Sequence, residues 1–162
     1  MLLLLFLSAL ALGSLPPSHG QQPQLQTGNC DTSWFDYHGR CYKYVATPMT
    51  WADAELHCVS VGTNLVSIHN LGEQKFIETL IRNFDPAGGW TWIGLSDIHK
   101  EGHWMWSDGS AAKFSYWLGG QPDNAGSNEH CVHQHNGEEL KWNDLPCSRP
   151  LAFVCASRNI CP

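Results

Sequence analysis

Gln121-Pro122-Asp123-Asn124-Ala125-Gly126-Ser127-Asn128-Glu129-His130-Cys131 and Trp142-Asn143-Asp144-Leu145-Pro146-Cys147 are the stretches whose reading decides the fold. Each begins with a short polar motif, Gln121-Pro122-Asp123 in one and Trp142-Asn143-Asp144 in the other, and each ends in a cysteine. Either motif alone reads as a turn. Together with Glu129 they offer carbonyl and carboxylate oxygens from two separated segments. A hard cation such as Ca2+ requires such a set. Cys131 and Cys147 are placed to tie the two segments together.

Working outward, the chain opens with an apolar run from Leu2 to Leu12, broken only by Ser8. That is the length of a signal-peptide h-region and too short to span a bilayer. Small residues at Ala11/Gly13 and again at Ser18/Gly20 are both cleavage candidates, although no positive n-region precedes them. Residues 1–20 therefore read as a signal peptide. Residues 21–29, rich in Gln and free of charge up to Gly28, read as a flexible arm. No later segment is apolar enough to span, so the mature protein is expected to be secreted, without membrane insertion. The remainder is the size of one domain, 30–157, with a short tail, 158–162.

The formal net charge is −6, and the signal region carries no Asp, Glu, Lys or Arg, so the mature chain keeps all of it. There is no Lys/Arg run, which argues against a nucleic-acid partner. Seven cysteines in a secreted chain imply disulfides with one left over. Choosing the odd one and pairing the rest gives 7 × 15 = 105 arrangements, which sequence alone does not separate. Cys161, next to the last residue, is the natural candidate for the unpaired one. It would link to a second chain or be capped by a small thiol.

Cys41 to Val45 reads as a strand. Thr50 with Asp53 starts a helix, with Trp51, Ala54, Cys58 and Val61 on one face and Gly62 as its stop. A second helix follows Asn70, with Glu73 three residues on and an apolar stripe of Phe76, Ile77, Leu80 and Ile81. Helical periodicity then disappears. Thr91–Leu95 and His103–Trp106 are short strand signals, and Ser107-Asp108-Gly109 is a turn. The stretch from Lys113 to Glu129 has no periodicity, as functional loops often do not. Cys131–His135, Glu139–Trp142 and Ala152–Ala156 are further strands, with Asn136-Gly137 a hairpin signal between the first two. Helices followed by short strands indicate an α+β fold. There is no internal repeat and no Asn-x-Ser/Thr acceptor.

The ordered set Cys41-Tyr42, Trp51-Ala52-x-Ala54, Cys58, Trp92-Ile93-Gly94-Leu95, Trp106-Ser107-Asp108-Gly109, Gln121-Pro122-Asp123, Cys131, Trp142-Asn143-Asp144, Cys147 and Cys155 resembles the C-type lectin domain. The resemblance covers Cys30 to Ala156, and the compact form looks like that of small secreted fish galactose-type lectins and type II antifreeze proteins. It implies the long form of the domain, with disulfides Cys30–Cys41, Cys58–Cys155 and Cys131–Cys147, leaving Cys161 free. It further implies a Ca2+ site built by Gln121, Asp123, Glu129, Asn143 and Asp144, with a cis peptide at Pro122. The same residues would contact two neighbouring sugar hydroxyls.

Gln-Pro-Asp resembles the galactose-recognising form of the motif, whereas Glu-Pro-Asn is the mannose form. Galactose or N-acetylgalactosamine is therefore the expected ligand. Strong galactose binders of the family place a Trp soon after the motif; Asn124–Asn128 has no aromatic. That implies loose selectivity, about millimolar for a monosaccharide, or about −4 kcal/mol. An auxiliary calcium site would use acids near Asp97 and Glu101, but Asn124 and His130 stand where its loop acids are expected, so it should be weak or absent. His130, His133 and His135 read as rim residues on this pattern, not as a zinc site. The expected function is a calcium-dependent lectin in innate recognition or agglutination, not an enzyme. Ice binding and mannose-tolerant sugar binding are the alternatives.

Overall fold

The computed structural model describes residues 23–135 and 137–158. The expected signal peptide, the first two residues of the expected arm, Asn136 of the hairpin signal and Cys161 with its neighbours lie outside the described residues.

The elements run β1 (Phe35–Tyr37), β2 (Arg40–Met49), α1 (Trp51–Ser60), β3 (Asn64–Leu65), α2 (Leu71–Phe84), β4 (Thr91–Ser96), β5 (Met105–Trp106), β6 (Cys131–Gln134), β7 (Trp142–Leu145) and β8 (Leu151–Ala156). This is the expected α+β class. The strands join one sheet in the order β1-β2-β8-β4-β6-β7, with β3 on β8 and β5 on β4. Among the strands named here, β4 and β8 pair in parallel and the other ladders are antiparallel.

Both helices start where their caps dictate. The Thr50 hydroxyl accepts from the Asp53 amide at 3.3 Å, and Asn70 Oδ1 accepts from the Glu73 amide at 2.9 Å. The apolar stripe of α2, Phe76, Ile77, Leu80 and Ile81, is fully buried against Val66, Ile93, Trp106 and Trp142. Trp51, Ala54 and Cys58 of α1 pack with Leu65, Trp92 and Phe153 in a second apolar cluster. Val61, the last member of the expected α1 stripe, stays 52% exposed. The helix ends at Ser60, Val61 is its C-cap at φ −106° and ψ 17°, and Gly62 at φ 79° then reverses the chain, so Val61 is no longer part of the helical stripe.

Two of the fully buried tryptophans find partners for their indole N–H, Trp92 at the Met49 carbonyl and Trp142 at Gln74 Oε1. Gly94 is required by close approach, since a Cβ there would lie 2.7 Å from the Leu65 carbonyl oxygen. The disulfides are Cys30–Cys41, Cys58–Cys155 and Cys131–Cys147. The second pins α1 to β8. The third joins the start of β6 to the residues just after β7.

Four elements differ from the periodicity reading. The strand expected at Glu139–Trp142 begins instead at Trp142, because residues 137–139 form a bend and Leu140 takes a positive φ of 42°. Pairing of Gln134 with Trp142 and Cys131 with Leu145 then sets the register, adjacent to the disulfide. The His103 signal shrinks to the two-residue β5. The strands β1 and β3 are too short to carry a periodic signal of their own.

Candidate metal centre

The site lies where the long loop after β5 crosses the outer strand β7. The Gln121–Pro122 peptide is cis. Asn124, Gly126 and Ser127 then take left-handed conformations around a single 3-10 turn at Ala125–Ser127. This tight turn curls the loop back, so that Asp123 and Glu129 come together over Asp144. One carboxylate oxygen from each of Asp123, Glu129 and Asp144 lies within 4.8 Å of the others.

Backbone amides hold these acids. Asp144 is fully buried on β7; its Oδ1 accepts from the Asp123 amide at 3.2 Å and its Oδ2 from the Asn124 amide at 2.8 Å. Glu129 Oε2 accepts from the Ala125 amide at 3.0 Å. Partial burial is the main cause that raises the Glu129 carboxyl above its usual value; the Ala125 amide opposes it, and the Asp144 and Asp123 charges push further up. Three carboxylates with no cationic side chain among them form a concentrated negative site.

Gln121 supplies the test of fit for a cation. Its Oε1 is buried without a hydrogen-bond donor among the described residues. Buried acceptors without donors are rare, and a metal ion would satisfy this one. With Gln121, the chain presents a hard-oxygen donor set suited to Ca2+.

Asn143 is oriented from beneath. His133 is fully buried on β6, and burial pushes its imidazole down to about 4, so it is neutral. Its Nδ1 lies 3.0 Å from the Gln134 carbonyl, which can only accept, so Nδ1 carries the proton and Nε2 accepts. Asn143 Nδ2 donates to that Nε2 at 3.0 Å and to the Asp144 carbonyl at 2.6 Å. His133 is thus a buried support and not the rim residue that strand alternation suggested. Asn124 was also underread: its Oδ1 accepts from the Glu129 amide at 3.0 Å and locks the turn. An Asn amid small residues, able to adopt the left-handed region, was the available signal.

A second cluster, of Asp97, Glu101 and His130, includes the residue after Glu129. His130 Nδ1 is 2.9 Å from Asp97 Oδ1 and 3.4 Å from Glu101 Oε2. The buried Asp97 also accepts from the Gly102 amide at 2.7 Å. The histidines do not converge on one point. His130 turns to Asp97 and His133 to Asn143, while the His135 ring faces Trp90. A Ser-His-Asp grouping also occurs: His69 Nε2 lies 3.0 Å from Ser67 Oγ and 3.3 Å from Ser110 Oγ. Both hydroxyls donate to Asp108, which also pairs with Arg40 at 3.6 Å, so their protons are directed to the carboxylate and not to the imidazole, and the group anchors the turn after β5.

A disulfide-stapled α+β domain with an acidic cage on a long loop defines a class, the carbohydrate-recognition type of lectin fold. The Lectin C-type domain model matches residues 47–157, and the chain belongs to that family. It is 39% identical to lactose-binding lectin l-2 of Anguilla japonica, over 96% of this chain and 95% of the relative. Among solved structures it is similar to the C-type lectin CEL-I of Cucumaria echinata, with TM-score 0.76 and 33% identity, covering 79% of this chain and 96% of that one. A Ca2+-dependent type II antifreeze protein in its Ca2+-free form gives TM-score 0.73 and 32% identity, covering 80% and 100%. No helix among the described residues is long and apolar enough to cross a membrane.

Proposed function

We propose that the chain is a secreted, calcium-dependent lectin for terminal galactose or N-acetylgalactosamine on glycans, acting in innate recognition or agglutination and not as an enzyme. Convergence of the Asp123, Glu129 and Asp144 carboxylates carries this reading, and the undonated Gln121 Oε1 two residues before Asp123 supports it. Gln121, Asp123, Glu129, Asn143 and Asp144 are the proposed Ca2+ ligands and the proposed sugar contacts. The bound ion supplies coordination positions for two neighbouring sugar hydroxyls. The carboxylates of the five accept from those hydroxyls and the amides donate to them. With an amide at Gln121 and an acid at Asp123, the donor–acceptor polarity runs in the galactose sense. The lactose-binding name of the eel relative agrees with that sense.

Three carboxylates and two amides suit a calcium Kd of order 10⁻⁴–10⁻³ M. Asn124–Asn128 offers no ring to stack on the sugar, so selectivity is loose and avidity from linked copies matters. A homodimer through Cys161 would supply two sites.

The test is retention on immobilised galactose and mannose in parallel, with elution by EDTA. Exchanging the motif acid and amide (Gln121→Glu with Asp123→Asn) is expected to move retention toward mannose. Unchanged preference would remove the polarity argument. The likeness to the antifreeze protein favours a second reading, ice binding. Thermal hysteresis without galactose retention would select it.

A further inference from the structure

A pocket of about 450 Å³ lies apart from the cage, with His69, Asp108, Gly109, Ser110, Lys113 and Arg158 on its walls. These residues come from three parts of the chain: the residue before the α2 cap, the stretch from the turn after β5 into the long loop, and the residue two beyond β8. The walls hold one acid, Asp108, and that acid is balanced from beneath by the buried Arg40. Asp108 Oδ1 accepts from the Ser110 amide at 2.8 Å and from the Ser110 hydroxyl at 2.5 Å, and Oδ2 accepts from the Ser67 hydroxyl. Burial opposes ionisation here, but the hydrogen bonds from Ser110 and Ser67 and the Arg40 charge outweigh it and hold the carboxyl below its usual value. Asp108 is therefore ionised and fully paired. Two further acids nearby are also engaged, Glu55 by Asn64 and the Leu65 amide and Glu73 by the His69 amide.

The two cations of the pocket are not paired. The Lys113 ammonium makes no hydrogen bond or salt bridge among the described residues. Arg158 donates from Nε to Asn64 Oδ1 at 3.1 Å, which fixes the base of the guanidinium and leaves both Nη groups without an acceptor. The chain has nine Lys and Arg against 15 Asp and Glu. Two unpaired cations on one concave wall run against that composition.

We propose that this pocket is a calcium-independent subsite for a sulfate ester carried on a glycan. A guanidinium grips two oxygens of an oxyanion with its planar fork, and an ammonium adds a point charge from another side. A sulfate ester has three terminal oxygens, enough for both donors, whereas a carboxylate has two. Gly109 and Ala111 carry side chains too short to fill the pocket, which leaves room for the sugar ring that bears the ester. That the carrier is a glycan rests on the lectin reading; the contact with the ester does not. In the sheet, β8 and β7 are separated by β4 and β6, three strand spacings or about 14 Å. One glycan with a terminal galactose and a sulfate further along its chain can therefore engage both sites, each contact raising the effective concentration of the other.

The experiment keeps calcium out. The secreted chain is passed in EDTA, at about 0.15 M salt, over three resins: a sulfated galactan, the same galactan without sulfate, and a phosphorylated mannan. Retention is expected on the first alone. Lys113→Glu with Arg158→Glu should weaken it by roughly tenfold or more. Lys100→Glu with Arg149→Glu makes the same change of charge at exposed residues outside the pocket and should leave it within about twofold. Both pairs should melt with the wild type, which separates lost binding from lost folding. Absence of retention on the sulfated galactan overturns the proposal. Equal weakening by the two pairs would show attraction to overall charge and overturn it as well. Retention as strong on the phosphorylated mannan would overturn the assignment to sulfate, and elution by inorganic sulfate at the same concentration as by sulfated galactose would overturn the assignment to a glycan. If galactose retention with calcium fails while sulfated galactan still binds in EDTA, the cage reading falls and the subsite is supported.

Discussion

Two acidic clusters draw on the adjacent residues Glu129 and His130, and they differ in what stands between their charges. Asp123, Glu129 and Asp144 converge, with the Asp123, Asn124 and Ala125 backbone amides donating to Asp144 and Glu129. Asp97 and Glu101 converge on the imidazole nitrogen of His130. The first cluster leaves three like charges to be balanced from outside. The second receives a side-chain donor from its own chain. Ligand count alone would rank them as similar metal sites. The difference lies in the one residue after Glu129, where a histidine takes a place that an acid would otherwise hold.

Asp144→Asn should break the contrast most strongly. It removes a buried carboxylate from the cage while the amide keeps nearly the same shape. Changes even outside a metal's direct ligands cost about 10–100-fold, so calcium affinity should fall by about 100-fold or more, with galactose retention lost at millimolar calcium. Titration calorimetry reads it, and retention at wild-type calcium concentrations would mean that Asp144 is no ligand.

Acidification is the next largest lever. Burial and the neighbouring Asp144 and Asp123 charges raise the Glu129 carboxyl above 4.5. Calcium needs the ionised form, so affinity should fall as pH drops through that raised value, beginning above 4.5 and reaching about tenfold per unit below it. The sign reverses for stability without calcium. A raised pKa means that the folded chain binds the proton better than the unfolded one, so this contribution is present at low pH and is lost as pH rises through the raised value. Melting temperature against pH, with calcium and with EDTA, should give slopes of opposite sign in that window. Parallel curves would show that Glu129 does not sense the ion.

The smallest effect sharpens the comparison by erasing it. His130→Asp turns the second cluster into three carboxylates and should create a second, weak calcium site, with Kd of order 10⁻³ M. Calcium stoichiometry should rise from one to two per chain. A stoichiometry that stays at one would locate the difference in loop shape and not in His130.

Much of the fold was legible because its signals are local. Thr50 with Asp53 and Asn70 with Glu73 mark helix starts through contacts three residues apart, and the α2 stripe is a simple 3.6-residue period. The cage acids were legible as well, since a short polar motif before each cysteine stands out from apolar strands. The role of His133 was not. Alternation along β6 gave its side but not whether that side was covered, and the β7 partner that uses its Nε2 lies ten residues away on another strand. The start of β7 was misplaced because a positive φ at Leu140 has no signature in a residue that rarely adopts it. Val61 was misplaced because helical spacing says nothing of where the helix stops.

By itself the sequence determined the class of the domain, its helices and the chemistry of its donors, because capping, periodicity and residue type act over a few neighbours. The family resemblance of its motifs also implied the disulfide pairing and a shared site for Asp123, Glu129 and Asp144, whereas only the tertiary structure decided that Asp144 is buried and held by the Asp123 and Asn124 amides. It also decided that His130 serves a different cluster and that Val61 stays outside the core. These are distances between residues remote in the chain, set by how the long loop and the sheet pack together.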